Sequence, residues 1–246
     1  MYNNKKRFLI ITASREGPPM LLKNRQPAND VPLLKSLDVM RKYNVSTDDY
    51  QVIIRYGNDK GLPEIYNPYL TKKNLGEWEG IIFVHDDVYI DDPKFIEKIR
   101  KHFKQGYSVV GLAGAAQAKI AKPALWHLMS ERKDQAGAVA HPFDNHMNKV
   151  EASSYVSAFG PTPTRCLIMD GLFLAIDCKK FKKASVKFDE QFTFHHYDLD
   201  FCLECNKKKH KLVATNINVI HNSPGLLDIN SNLFSKSQDK FIEKHA

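Results

Sequence analysis

The chain has 246 residues, 43% of them hydrophobic and 26% charged, and a formal net charge of +8. That length and balance suit a globular protein with a sizeable buried core, and they exclude a mainly disordered chain, a collagen-like repeat and a disulfide-stapled miniprotein. The basic excess, most of it in the first half of the chain, points to an anionic partner: nucleic acid, a phosphorylated small molecule or an anionic membrane surface.

In chain order, the apolar run Phe8–Ala13 predicts a buried strand. It is too short for the core of a signal peptide, and Arg15 and Glu16 follow at once. Leu33, Leu34, Leu37 and Met40 recur at helical spacing and predict a helix over 33–43. Tyr50–Tyr56 reads as a second strand closed by Gly57 and Asn58, and residues 62–73 as a short helix interrupted by Pro68. Ile81–Val84 is a third strand that ends on His85, Asp86 and Asp87. A helix starts at Asp92-Pro93 and carries Phe95, Ile96, Ile99 and Phe103, and a fourth strand covers Tyr107–Leu112.

Residues 113–165 give no clear period. Order returns with Cys166–Ile176, a strand or strand pair around Asp170-Gly171. A helix over 198–208, one or two strands over Lys211–Ile220 and a terminal helix over Phe234–Lys244 complete the chain. Alternating strands and helices through the first 112 residues predict an α/β fold with a mostly parallel central sheet flanked by helices. No low-complexity linker and no repeat interrupts it, so a single domain is expected over 1–246. No apolar run approaches the ~18 residues a membrane span needs.

Three places carry candidate chemistry. The first is IIFVHDDVYI, residues 81–90. Two adjacent carboxylates at the end of an apolar strand need a reason, because like charges repel and desolvation is costly. A divalent cation such as Mg²⁺ or Mn²⁺ supplies one; a solvated turn is the alternative. The second is FDEQFTFHHYDLDFCLEC, residues 188–205. Asp198 and Asp200 sit at a helix start, where either can be a cap or complement the helix dipole. Positions i and i+2 point to nearly opposite sides, so only one of them is expected to face a shared site, where a carboxylate can serve as a general base. The third is NVIHNSPG, residues 218–225, whose His221 follows an apolar strand and is a structural histidine or a nitrogen ligand beside Asp87.

Other features read more plainly. Cys202 and Cys205 form a CxxC, but Cys166 and Cys178 provide no second pair, so core thiols are expected, reduced as in a cytosol. The lysine runs 179–183 and 207–211 are solvated helix ends or a nucleic-acid patch; no RNP motif, zinc finger, P-loop, GxGxxG or GxSxG accompanies them.

In this order the stretches LIITAS, NDKGLPEIYNPYL, IIFVHDDV, MDGLFLAI, FDEQFTFHHYDLDFCLEC and VIHNSPG resemble a GT-A-fold glycosyltransferase of the family-2 type, in particular the bacterial group tied to capsule and surface polysaccharides. The resemblance implies a single Rossmann-like GT-A domain. Residues 1–112 would bind a nucleotide sugar, and 113–246 would form the acceptor side. It implies a hexosyltransferase that moves sugar to a carbohydrate or lipid-linked acceptor with inversion, using Mn²⁺ or Mg²⁺. Asp87 and His221 would hold the metal. Thr12, Ser14, Asn58 and Asp86 would line the nucleoside pocket, Asp170 and Gly171 would shape the acceptor side, and Asp198 would be the base.

Two positions depart from the family pattern. His85 stands where the first acid of the metal triplet is usual, and Tyr197 where a Glu precedes the catalytic Asp, which leaves Asp200 as the fallback base. The same reading implies no nucleic-acid partner and a cytoplasmic enzyme whose basic surface can meet an anionic inner leaflet. A nucleic-acid-binding protein and a catalytically silent scaffold are the alternatives. Convergence of Asp87, His221 and Asp198 on one place separates the enzyme from both.

Overall fold

The computed structural model describes residues 7–15, 31–42, 50–123, 125–142, 154–223 and 231–246. The positions around Glu16 and the Pro224-Gly225 turn lie outside them. In chain order the elements are β1 (Phe8–Ala13), α1 (Pro32–Lys42), β2 (Tyr50–Arg55), α2 (Leu62–Tyr66), α3 (Asn74–Glu77), β3 (Gly80–Val84), β4 (Val88–Ile90), α4 (Phe95–Lys104), β5 (Val109–Gly111) and β6 (Ala113–Ala115). They continue with β7 (Gln135–Pro142), β8 (Ser154–Gly160), β9 (Thr164–Cys166), β10 (Ile168–Met169), β11 (Phe173–Asp177), α5 (Cys178–Lys183), α6 (Tyr197–Lys207), β12 (Leu212–Ala214), β13 (Val219–His221) and α7 (Asn232–His245).

Two sheets organise these elements. The first has seven strands in the order β2-β1-β3-β11-β5-β12-β9. Every residue of β1, β3 and β11 is buried, which is why these strands read as largely apolar runs rather than alternating ones, Thr12 and Asp177 being the polar exceptions. β1 runs parallel to both β2 and β3, so the chain reverses its direction of travel across the sheet at β1. A crevice opens beyond the carboxyl ends at such a switch point.

The α/β class is as expected, but the sheet is mixed. β11 lies antiparallel to both β3 and β5, and β9 antiparallel to β12. The reason is local: β11 follows β10 after three residues, with no helical crossover to return it in the parallel sense.

The second sheet runs β10-β6-β7-β13-β4, with β8 hydrogen-bonded to β7. Three of the passages between the sheets are β3 to β4, β5 to β6, and β10 to β11. The first passage is His85-Asp86-Asp87 and the last contains Asp170-Gly171. Chemistry-bearing residues therefore collect where two sheets exchange strands. Gly137, at φ +96°, marks the irregularity where β7 bends over Leu112; a side chain there would strike the Leu112 carbonyl.

Helices α6 and α7 are bound by buried polar contacts. Asp200, fully buried, accepts from Lys244 and from His245, each at 2.7 Å. His196 precedes α6 in the left-handed conformation, and its ring packs against Phe234 and Phe241. The Ser237 hydroxyl donates to the His195 carbonyl and lies 2.9 Å from His196 Nδ1. A hydroxyl has one hydrogen, so Nδ1 is the donor to Ser237. Nε2 is then bare, buried and without a hydrogen-bond partner.

Burial, with the nearby His195, pushes the His196 pKa down to about 4 from 6.5. The unfolded chain therefore binds the extra proton first. Stability from this group is complete above pH ~6.5 and is lost as pH falls toward ~4, up to about 3 kcal/mol. Asp198, whose carboxyl is raised, titrates with the opposite sign. The readout is thus a difference: wild type should lose more melting temperature between pH 7 and 5 than His196→Asn, which tolerates the same backbone. Parallel curves would show that His196 is not the acid-sensitive group.

Candidate active site

The end of β3 delivers His85, Asp86 and Asp87 to the switch point. β4 starts immediately and pairs antiparallel with β13, which sets His221 opposite Val88. One ligand atom from each of His85, Asp87 and His221 lies within 4.8 Å of the others. His221 Nε2 is 3.4 Å from Asp87 Oδ1, and that oxygen is buried with no hydrogen-bond partner. Burial alone would raise the Asp87 carboxyl, but His221 and His85 more than offset it and hold it below the usual carboxylate range. Burial likewise opposes a charged His221, yet Asp87 raises it overall. Burial holds His85 low, hence neutral.

An orphaned carboxylate oxygen between two imidazoles is a donor set for a divalent cation. Two nitrogens and one oxygen suit Mn²⁺ better than Mg²⁺, which demands oxygen ligands. The residues present therefore fit a metal, and His85 joins the two ligands expected from the sequence.

Asp86 faces the other side of the turn. Burial raises its carboxyl, a hydrogen bond with Ser14 lowers it, and Asp87 adds to the rise. Ser14 directly follows β1; its carbonyl accepts from Asn58 N–H at 2.9 Å. The Asn58 side chain is folded onto Lys60 in its own turn. Thr12 is fully buried within β1, two residues before Ser14. Ser14, Asn58 and Asp86 thus form one connected edge of the switch point.

Asp170 and Gly171 occupy the passage from β10 to β11. Asp170 accepts from the Trp126 indole N–H and from Leu172 N–H, both at 2.9 Å. Its charge acts on both His85 and His221 and also on Asp198, so the three lie around it. Asp198 Oδ2 accepts from Gly171 N–H at 2.7 Å and Oδ1 from Leu199 N–H at 2.9 Å. Burial, then the Asp170 charge, raises the Asp198 pKa to about 7. Gly171 is required here: a Cβ would sit 2.3 Å from the Tyr197 hydroxyl and 2.8 Å from Asp198 Cβ.

Asp200 faces away, into the α7 contact, which removes it as the fallback base. All four cysteines are free and buried. Within the first lysine run, Lys180 is tied to Asp177 and to the Phe103 and Tyr107 carbonyls. No helix among the described residues is long and apolar enough to cross a membrane.

Sequence reasoning did not place His85 in the candidate group, although its position beside Asp87 at the strand end was a usable signal. It also missed Trp126 and His141. Trp126 lies in the segment without period. His141 sits one residue beyond the β7–β13 pairing of Ala140 with Ile220, its ring 5.7 Å from His221.

A family model described as "Glycosyltransferase like family" matches residues 48–245. No curated protein matches the chain. Among solved structures, the A197 protein from STIV is 13% identical at a TM-score of 0.47, covering 85% of this chain and 82% of that one. TarS 1-349 of S. aureus is 12% identical at 0.41, covering 96% and 69%. GalNAc-T7 with UDP, GalNAc and Mn²⁺ is 11% identical at 0.49, covering 98% of this chain but only 48% of its own length.

Proposed function

Because the chain belongs to the glycosyltransferase-like family, we propose that it is a Mn²⁺-dependent transferase that moves a sugar, with inversion, from a nucleotide-sugar donor to a carbohydrate or lipid-linked acceptor. The observation that carries this reading is the grouping of the buried, orphaned Asp87 oxygen with His85 and His221, across Asp170 from a carboxylate whose pKa is about 7. His85, Asp87 and His221 hold the cation. When bound, it supplies Lewis-acid stabilisation of the charge that develops on the leaving diphosphate.

Ser14, Asn58 and Asp86 hold the nucleoside, with Thr12 buried in β1 two residues before Ser14. Asp170, anchored by Trp126, and Gly171 shape the acceptor side. Asp198 takes the proton from the attacking hydroxyl, and its pKa near the working pH suits that role. The chain acts as one domain, 1–112 for the donor and 113–246 for the acceptor.

A donor screen tests this. UDP-, GDP-, CMP- and dTDP-sugars are added with and without Mn²⁺, and the melting temperature is followed. Binding at about 100 times Kd adds roughly 2.7 kcal/mol, a shift of several degrees in a chain of this size. One nucleotide class should produce it only with Mn²⁺. No shift with any donor, or one indifferent to metal, overturns the proposal.

A further inference from the structure

We propose that Tyr197 is a positioning residue that fixes the tautomer of His85, so that a ring nitrogen bare of hydrogen is offered to the cation. The inference rests on reading His85, Asp87 and His221 as a cation site, and it adds how one of those ligands is prepared.

The argument is a count of hydrogens. The Tyr197 hydroxyl donates to the Gly171 carbonyl at 3.1 Å and also lies 2.9 Å from His85 Nε2. A carbonyl can only accept, and a phenol has one hydrogen to give. That hydrogen is committed to Gly171, so the short contact with His85 is a hydrogen bond only if Nε2 carries the proton and Tyr197 accepts it. A neutral imidazole has one N–H, which leaves Nδ1 bare. A metal needs a bare nitrogen, and the partner on the other nitrogen decides which one that is.

The surroundings hold this relay in place. Tyr197 is buried, with its ring against Tyr66 and Phe188. Phe194, half exposed, stacks on His85 at 6.1 Å. The relay ends on a backbone carbonyl in the passage between the two sheets, and Gly171 has no Cβ to keep the hydroxyl away. The acceptor at its far end is therefore main chain and cannot rotate out of position.

Two measurements test the proposal. In the ¹⁵N-labelled, metal-free protein, long-range ¹H–¹⁵N correlation reports the tautomer of each histidine, with His85→Ala identifying the His85 signals. The expected wild-type spectrum shows His85 protonated at Nε2, and Tyr197→Phe shifts it toward a tautomer mixture. An Nδ1–H tautomer in wild type overturns the proposal, and this readout needs no metal.

Calorimetry with MnCl₂ is the second test. Tyr197→Phe should bind about 10–100-fold more weakly at a melting temperature near wild type. The double variant with His85→Ala should be no weaker than His85→Ala alone. Unchanged Mn²⁺ affinity in Tyr197→Phe sinks the relay. No Mn²⁺ affinity in wild type, with the Nε2–H tautomer present, instead overturns the cation site itself.

Discussion

Asp87→Ala is expected to weaken Mn²⁺-dependent nucleoside-diphosphate binding by at least ~100-fold, because loss of groups that merely orient a ligand already costs 10–100-fold and Asp87 is a ligand itself. Its Oδ1 is buried, makes no hydrogen bond and has the His221 ring 3.4 Å away, so a cation would supply the contact that this oxygen lacks. The metal-free protein should tolerate the change, since the substitution removes that oxygen along with its charge. Asp91→Ala is the control: it deletes an exposed carboxylate four residues away and lowers the local negative charge by the same amount. If both variants weaken binding equally, the effect is general electrostatics and Asp87 is no ligand. Asp87 raises the His221 pKa above the ordinary histidine value, and a cation needs that nitrogen bare, so protons compete with the metal. Affinity in wild type should therefore rise with pH across the histidine range, and Asp87→Ala should flatten that rise.

The parts of the fold that were legible in the sequence are those buried on both faces. β1 and β3 are apolar but for Thr12, and the sequence placed them within a residue of their observed limits. Helix α4 presents Phe95, Ile96, Ile99 and Phe103 at helical spacing, although Pro93 lies in the turn before it rather than inside its first turn. The segment 113–165 failed for a physical reason. β6 is Ala-Gly-Ala, and β7 begins Gln-Ala-Gly-Ala, so neither carries the side-chain contrast on which a period of two depends.

The site was legible wherever a strand end coincided with an odd residue, as at Asp87 and His221. It was illegible where its logic is an interaction across the fold. His85 and Tyr197 are separate departures from the family pattern when read along the chain; in space they are hydrogen-bonded to each other. The opposite orientations of Asp198 and Asp200 did follow from helix geometry alone. What the sequence could not supply was the partner of each: Gly171 for Asp198, and Lys244 with His245 for Asp200.

That separation makes the second large effect a sharp one. Asp198→Asn should lower the rate of transfer by about 10²–10⁴-fold while leaving donor binding near wild type, because a base acts on the acceptor hydroxyl and not on the nucleotide. The amide keeps one oxygen for one of the two N–H groups that Asp198 accepts, so a modest stability loss of about 1 kcal/mol is expected and does not mimic the rate effect. In wild type the base works as the carboxylate, and its pKa is about 7. The transfer rate should therefore rise with pH up to about 7 and then level off. Asp170 is the charged neighbour that adds to the effect of burial, so Asp170→Asn should move the inflection to lower pH. Asp200 cannot substitute, since it is fully buried and spent on Lys244 and His245. Retained transfer in Asp198→Asn would thus place the base outside α6 altogether, and an inflection that ignores Asp170→Asn would show that the titrating group is not Asp198.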